Sequence, residues 1–155
     1  MNHDFMLEAI RLAKEGMDQG AGGPFGCVIV KNGVIIGRGN NRVTSTNDPT
    51  AHAEIVAIRD ACQHSNSFQL EGCEIYTSCE PCPMCLGAIY WARPTKVYYG
   101  CLKEDAALIE FDDSFIYTEI SKSLDDRHIV MEQLLREEAL KVFIEWTGKK
   151  DKMKY

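Results

Sequence analysis

Apolar side chains recur every three or four residues across positions 2–19, at Phe5, Met6, Ala9, Ile10, Ala13 and Met17, and the run stops at Gly20 to Gly23. That spacing predicts an amphipathic first helix. The next segment, GCVIVKNGVIIGRG, sets Asn32-Gly33 between two β-branched runs, the pattern of a tight hairpin. A polar loop, NNRVTSTNDPT, leads to Thr50, a suitable N-cap for a helix from about Ala51 to Cys62. A short strand is expected at Glu74 to Ser78, then a helix from near Pro81 to about Ala92, since proline suits a first helical turn. TKVYYGC reads as another strand and HIVMEQL as a weaker one. LLREEALKVFIEW reads as a final helix with an irregular apolar face at Leu135, Leu140, Val142, Phe143 and Trp146. Positions 102–121 carry no clear period. The order predicts a three-layer α/β domain whose strands begin antiparallel and continue parallel.

Size supports one domain: 155 residues can bury roughly 70% of the surface that the unfolded chain exposes. No repeat or low-complexity tract interrupts the chain. The start, MNHDFMLEAI, carries Asp4 and Glu8 and lacks the form of a signal peptide, and no stretch approaches the ~20 apolar residues of a membrane span. Cysteine usage sharpens the picture. There are seven, an odd number, and Cys79, Cys82 and Cys85 stand at intervals of three with Pro81 and Pro83 between them. In a chain without an export signal this favours metal binding over disulfides and predicts a cytoplasmic setting. The net charge of −6 argues against a polynucleotide partner, because affinity for nucleic-acid backbones comes from Lys and Arg. The basic tail KKDKMKY reads as a solvated terminus, and the charged face at Arg136, Glu137, Glu138 and Lys141 as solvated helix surface.

Two motifs carry candidate chemistry: His52-Ala53-Glu54 in PTAHAEIVAI, and Pro81-Cys82-Pro83-Met84-Cys85 in TSCEPCPMC. Each sits at a predicted helix start. Cys82 and Cys85 share a helical face, a helix N-terminus favours their thiolates, and His52 supplies a third donor. Zn²⁺ suits this mixed nitrogen and sulfur set. Glu54 lies two residues from His52, so the pair can address one spot only near a helix end. Both helices are therefore expected to aim their N-termini at one pocket, with Glu54 moving protons beside a metal-activated water. Two thiolates and a neutral imidazole leave the metal shell formally uncharged, so such a water can ionise near pH 7. H-x-E with P-C-x-x-C is the general signature of zinc nucleobase deaminases. The rival is a closed structural site in which Cys79 completes the shell, corresponding to a zinc-stabilised interaction domain. It leaves Glu54 without a task.

HAEIVAIRDA together with TSCEPCPMCLGAIYWA resembles the cytidine deaminase superfamily. FDDSFIY (Phe111 to Tyr117) and the terminal Tyr155 resemble the bacterial guanine deaminases within it. The likeness runs over nearly the whole chain, including GGPFG and NNRVTSTNDPTAHAE, and is least from about 119 to 141. The resemblance implies a mixed, about five-stranded sheet between helices, and a homodimer in which residues of about 133–155 are exchanged. It implies that His52, Cys82 and Cys85 bind zinc, that Glu54 shuttles protons, and that guanine is hydrolysed at C2 to xanthine and ammonia. Phe25, Asn41, Ala53, Trp91, Asp113 and Tyr155 would contact the base, Phe25 and Trp91 as walls and Tyr155 as a lid. Asn41 would bond the O6 or N7 edge and Asp113 would accept from N–H groups. From the residues alone, Phe25 and Trp91 are more often core packing than substrate walls, Asn41 suits a turn equally well, and Asp113 reads first as a loop or cap and Tyr155 as a frayed end. His3, His64 and His128 have no partner motif. The enzyme alternatives are a tRNA-specific adenosine deaminase, which would need a basic surface and room for a flipped base, and a cytosine or other free-base deaminase.

Overall fold

Four strands, in the spatial order β2-β1-β3-β4, form the sheet of this computed structural model, which describes residues 2–155. The chain divides into two compact units, Met1–Asp113 and Ser114–Tyr155. The first holds α1 (His3–Asp18), β1 (Gly26–Lys31), β2 (Val34–Asn40), a single turn α2 (Val43–Thr46), α3 (Ala53–Ser65), β3 (Cys73–Cys79), α4 (Pro83–Ala92), β4 (Lys96–Cys101) and α5 (Lys103–Leu108). β1 pairs antiparallel with β2 and with β3, whereas β3 and β4 are parallel and joined through α4. The hairpin turns at Asn32 and Gly33, both with positive φ (50° and 77°), as a two-residue turn matched to strand twist requires.

Strand alternation sorts the core into two layers. Cys27, Ile29, Cys73 and Ile75 point one way, against Ala53, Ala57, Ala61, Ile89 and Ala92 of α3 and α4. Val28, Val30 and Tyr76 point the other way, against Leu12, with Phe5 and Met6 packed alongside. A sheet covered on both faces explains why VIV and its neighbours read as unbroken apolar runs. α1 is held at its start by the Asn2 side chain, which accepts from the Asp4 amide at 3.0 Å. α3 lies close on β2 because alanines face glycines. A Cβ at Gly39 would collide with the Ala53 carbonyl oxygen and stand 2.6 Å from the Ala57 amide nitrogen.

Helix starts and the last strand depart from expectation. Thr50 does not cap α3; its amide and hydroxyl both donate to Asp48 Oδ1, so the cap falls to His52. α4 likewise begins after Cys82, with Pro83 at its first position, rather than near Pro81. The loop after β2 contains α2, which ends at Asn47 in the left-handed region. The sheet has four strands and not about five. HIVMEQL forms no ladder, because β structure needs a paired edge and, among the described residues, no strand lies in its own unit. That second unit contains α6 (Ser114–Ser121), a 3₁₀ turn (Leu124–Asp126) and α7 (Arg136–Gly148). On α7, Val142, Phe143, Ile144 and Trp146 are exposed. Among the described residues no helix is long and apolar enough to cross a membrane.

Gly39→Ala tests the close approach of α3 to β2. Overpacking against backbone should cost about 1–3 kcal/mol in urea unfolding, and the shift of α3 should lower metal retention. An unchanged urea midpoint would contradict the packing argument.

Candidate active site

His52 and Cys82 occupy the same structural position on different helices. Each is an N-cap with extended backbone, φ −68° and ψ 159° for His52, φ −64° and ψ 167° for Cys82. Neither side chain caps its own helix. They turn instead toward each other, with Cys82 Sγ 3.5 Å and Cys85 Sγ 3.6 Å from His52 Nδ1. All three donor atoms lie within 4.8 Å of one another. A tetrahedral zinc with bonds of about 2.05 Å to nitrogen and 2.3 Å to sulfur sets those atoms about 3.6 Å apart. The observed spacing fits that geometry. The site lies just past the C-terminal end of β3, where open α/β sheets place ligands. Cys79, the last residue of β3, is buried outside this group, with its Sγ 3.6 Å from the Leu102 carbonyl oxygen.

The titratable groups of the cluster bear strongly on one another, with Cys82 held toward its thiolate and its neighbours toward their protonated forms. Cys82 is pulled down to about 4, first by the Cys85 thiol beside it and then by His52, against the opposing effect of burial. Cys85 is pushed up by the Cys82 sulfur beside it and by burial. His52 is raised by the Cys82 sulfur beside it. Glu54, only 6% exposed in the first turn of α3, is also raised, chiefly by burial. A dication would favour the deprotonated form of each donor and displace those protons. Glu54 is tethered at both oxygens: Oε1 accepts from the Thr77 hydroxyl at 3.1 Å and Oε2 from the Cys85 thiol at 3.4 Å. Thr77 was not among the residues expected from sequence to matter; the available signal was its place two residues before Cys79, on the same strand face.

Other expected contacts are placed unevenly. Asn41 is buried immediately after β2, and its Oδ1 accepts from the Gly23 amide (3.3 Å) and the Val43 amide (3.1 Å). Its Nδ2 is the end left to donate. Phe25 packs against the core cluster that includes Ala53 and meets Phe111 edge-on, with ring centroids 5.0 Å apart. Ala53 is fully buried at the first position of α3. The Asp113 carboxyl is raised by burial and, secondarily, by the Cys82 charge. Trp91 is 64% exposed, nine residues beyond Cys82 along α4, and is not brought to the metal group within this unit. Tyr155, in the second unit, is exposed.

Residues 1–101 match the family described as the cytidine and deoxycytidylate deaminase zinc-binding region. The chain belongs to that family. The chain is therefore a hydrolytic deaminase with zinc as its metal, and the His52, Cys82 and Cys85 donor set fits that ion. Over its full length this deaminase is 54% identical to the guanine deaminase of Bacillus subtilis (strain 168), covering 100% of both chains. The X-ray structure of guanine deaminase from Bacillus subtilis superposes with a TM-score of 0.96, covering 100% of this chain and 99% of that one. A tRNA-specific adenosine deaminase of Aquifex aeolicus is 45% identical over 98 residues, 63% of this chain and 64% of its own.

Zinc content separates the donors. His52→Ala and Cys82→Ser should each lose most bound zinc by elemental analysis, whereas Cys79→Ser should keep about one zinc per chain. Loss of zinc from Cys79→Ser would place that sulfur in the shell.

Proposed function

We propose that this deaminase hydrolyses guanine to xanthine and ammonia. The observation that carries the reading is the extent of the likeness. It covers the whole chain for the guanine deaminase of Bacillus subtilis, second unit included, and only 63% of it for the tRNA-specific enzyme of Aquifex aeolicus. The net charge of −6 adds to this, since a tRNA substrate calls for a basic surface.

In this reading His52 Nδ1 and the sulfurs of Cys82 and Cys85 hold the zinc. Bound there, zinc supplies an acidified water as the hydrolytic nucleophile. Glu54 would take one proton as the water attacks C2 and pass it to the adjacent ring nitrogen, and would then carry a second proton, from the hydroxyl so formed at C2, to the amino group that leaves as ammonia. Burial of Glu54 keeps bulk solvent from short-circuiting the transfer. Asn41 donates through Nδ2, because its Oδ1 is already bonded to two backbone amides. A fixed donor suits the O6 and N7 acceptors of guanine and opposes the N6 amino group of adenine. Asp113 accepts from the base's N–H groups, Phe25 and Ala53 wall the pocket, and Trp91 and Tyr155 complete it. The working assembly is a homodimer that exchanges residues 133–155, which gives the exposed apolar side chains of α7 a place to be buried. The compartment is the cytoplasm, a reading supported by seven free cysteines.

Ammonia release from guanine, adenine, cytosine, their nucleosides and a tRNA anticodon stem-loop tests the substrate. Guanine alone should turn over, and turnover of the RNA alone would sink the assignment. Glu54→Gln should retain zinc and lose about 10²- to 10⁴-fold in rate; full activity in that variant would rule out the proton-shuttle role.

A further inference from the structure

We infer that Thr77 is a positioning residue that anchors one oxygen of Glu54 and so confines proton transfer to the other. The inference rests on Glu54 being the proton carrier. Thr77 is 1% exposed in β3, the strand hydrogen-bonded on both sides, in register with Cys27 of β1 and with Tyr99 of β4. Its branched side chain has little rotamer freedom there. The hydroxyl donates to Glu54 Oε1 at 3.1 Å. Among the described residues the only other side chain bonded to this carboxylate is the Cys85 thiol, on Oε2, and the Glu54 backbone amide also donates to it. Cys85 ligates metal as a thiolate, which has no proton to donate, so its bond to Oε2 cannot persist in the metal-loaded site. Oε1 then stays fixed by Thr77 while Oε2 is left with no side-chain donor.

The division has a chemical use. A carboxylate with both oxygens free can rotate and lose the alignment between the water it deprotonates and the ring nitrogen it protonates. With Oε1 held by a strand residue, the swing of Oε2 between those partners is a small rocking motion about a fixed point. A proton resting on Oε1 would compete with the Thr77 hydroxyl for the same acceptor. Both steps of the shuttle therefore use Oε2.

The full zinc-loaded chain provides the test. Thr77→Val keeps the side-chain shape and removes the donor. It should retain wild-type zinc content and lower kcat on guanine about 10- to 100-fold, the value of a hydrogen bond to a charged group. KM should stay within about twofold, since the anchor acts on the reacting state rather than on binding. Thr77→Ser restores the hydroxyl and should recover most of kcat. A crystal structure of zinc-loaded Thr77→Val should show the Glu54 carboxylate displaced from its wild-type position. An unchanged kcat, a loss that serine does not restore, or an unmoved carboxylate would each overturn the anchor. Wild-type protein that released no ammonia from guanine would instead sink the substrate assignment, and the carboxylate position in Thr77→Val would then decide the anchor by itself.

Discussion

One imidazole nitrogen and two sulfurs can meet a single cation here only if α3 and α4 begin at the same place, and most of the first unit follows from that requirement. His52 and Cys82 are both N-caps, each in extended backbone immediately before its helix. Two helix N-termini aimed at one point supply partial positive charge to the Cys82 thiolate even before a metal binds. Bringing them together demands close packing of α3 on the sheet. Ala53, Ala57 and Ala61 provide it on the helix, and Gly37 and Gly39 on β2. β3 ends at Cys79, which leaves Glu80 and Pro81 to carry the chain to Cys82.

The same geometry explains why a carboxylate sits beside the metal ligands without joining them. Residues two apart diverge around a helix, but His52 lies just before α3 and Glu54 in its first turn. The imidazole can then reach the cluster from the helix end while the Glu54 carboxylate is buried between Thr77 and Cys85. Burial raises the carboxyl, so it takes up a proton more readily than an exposed glutamate, and Thr77 keeps part of its negative charge hydrogen-bonded.

Much of this was legible in the sequence where a residue had a single physical job. Asn32-Gly33 could only be a tight turn, and α1 showed a clear stripe because one face is buried and the other is wet. His52, Glu54, Cys82 and Cys85 stood out because no core role explains such groups together. Three things were hidden. The start of α3 looked like Thr50 because threonine is a good cap, and only the competing Asp48 turn moves the cap to His52. α5 and α6 bury no residue, so no period marks positions 102–121. HIVMEQL has strand-like composition, but propensity does not create a partner edge. Thr77 escaped notice because every residue of β3 from Ile75 to Cys79 is buried, and a threonine in such a strand reads as ordinary β-branched filling.

The account turns on which sulfurs surround the metal, since an open fourth position separates a catalytic centre from a structural clip. Zinc K-edge X-ray absorption on the zinc-loaded protein reads that shell directly. Two sulfurs at about 2.3 Å with two nitrogen or oxygen neighbours is the predicted result. Three sulfurs, with Cys79 drawn into the shell, would contradict it.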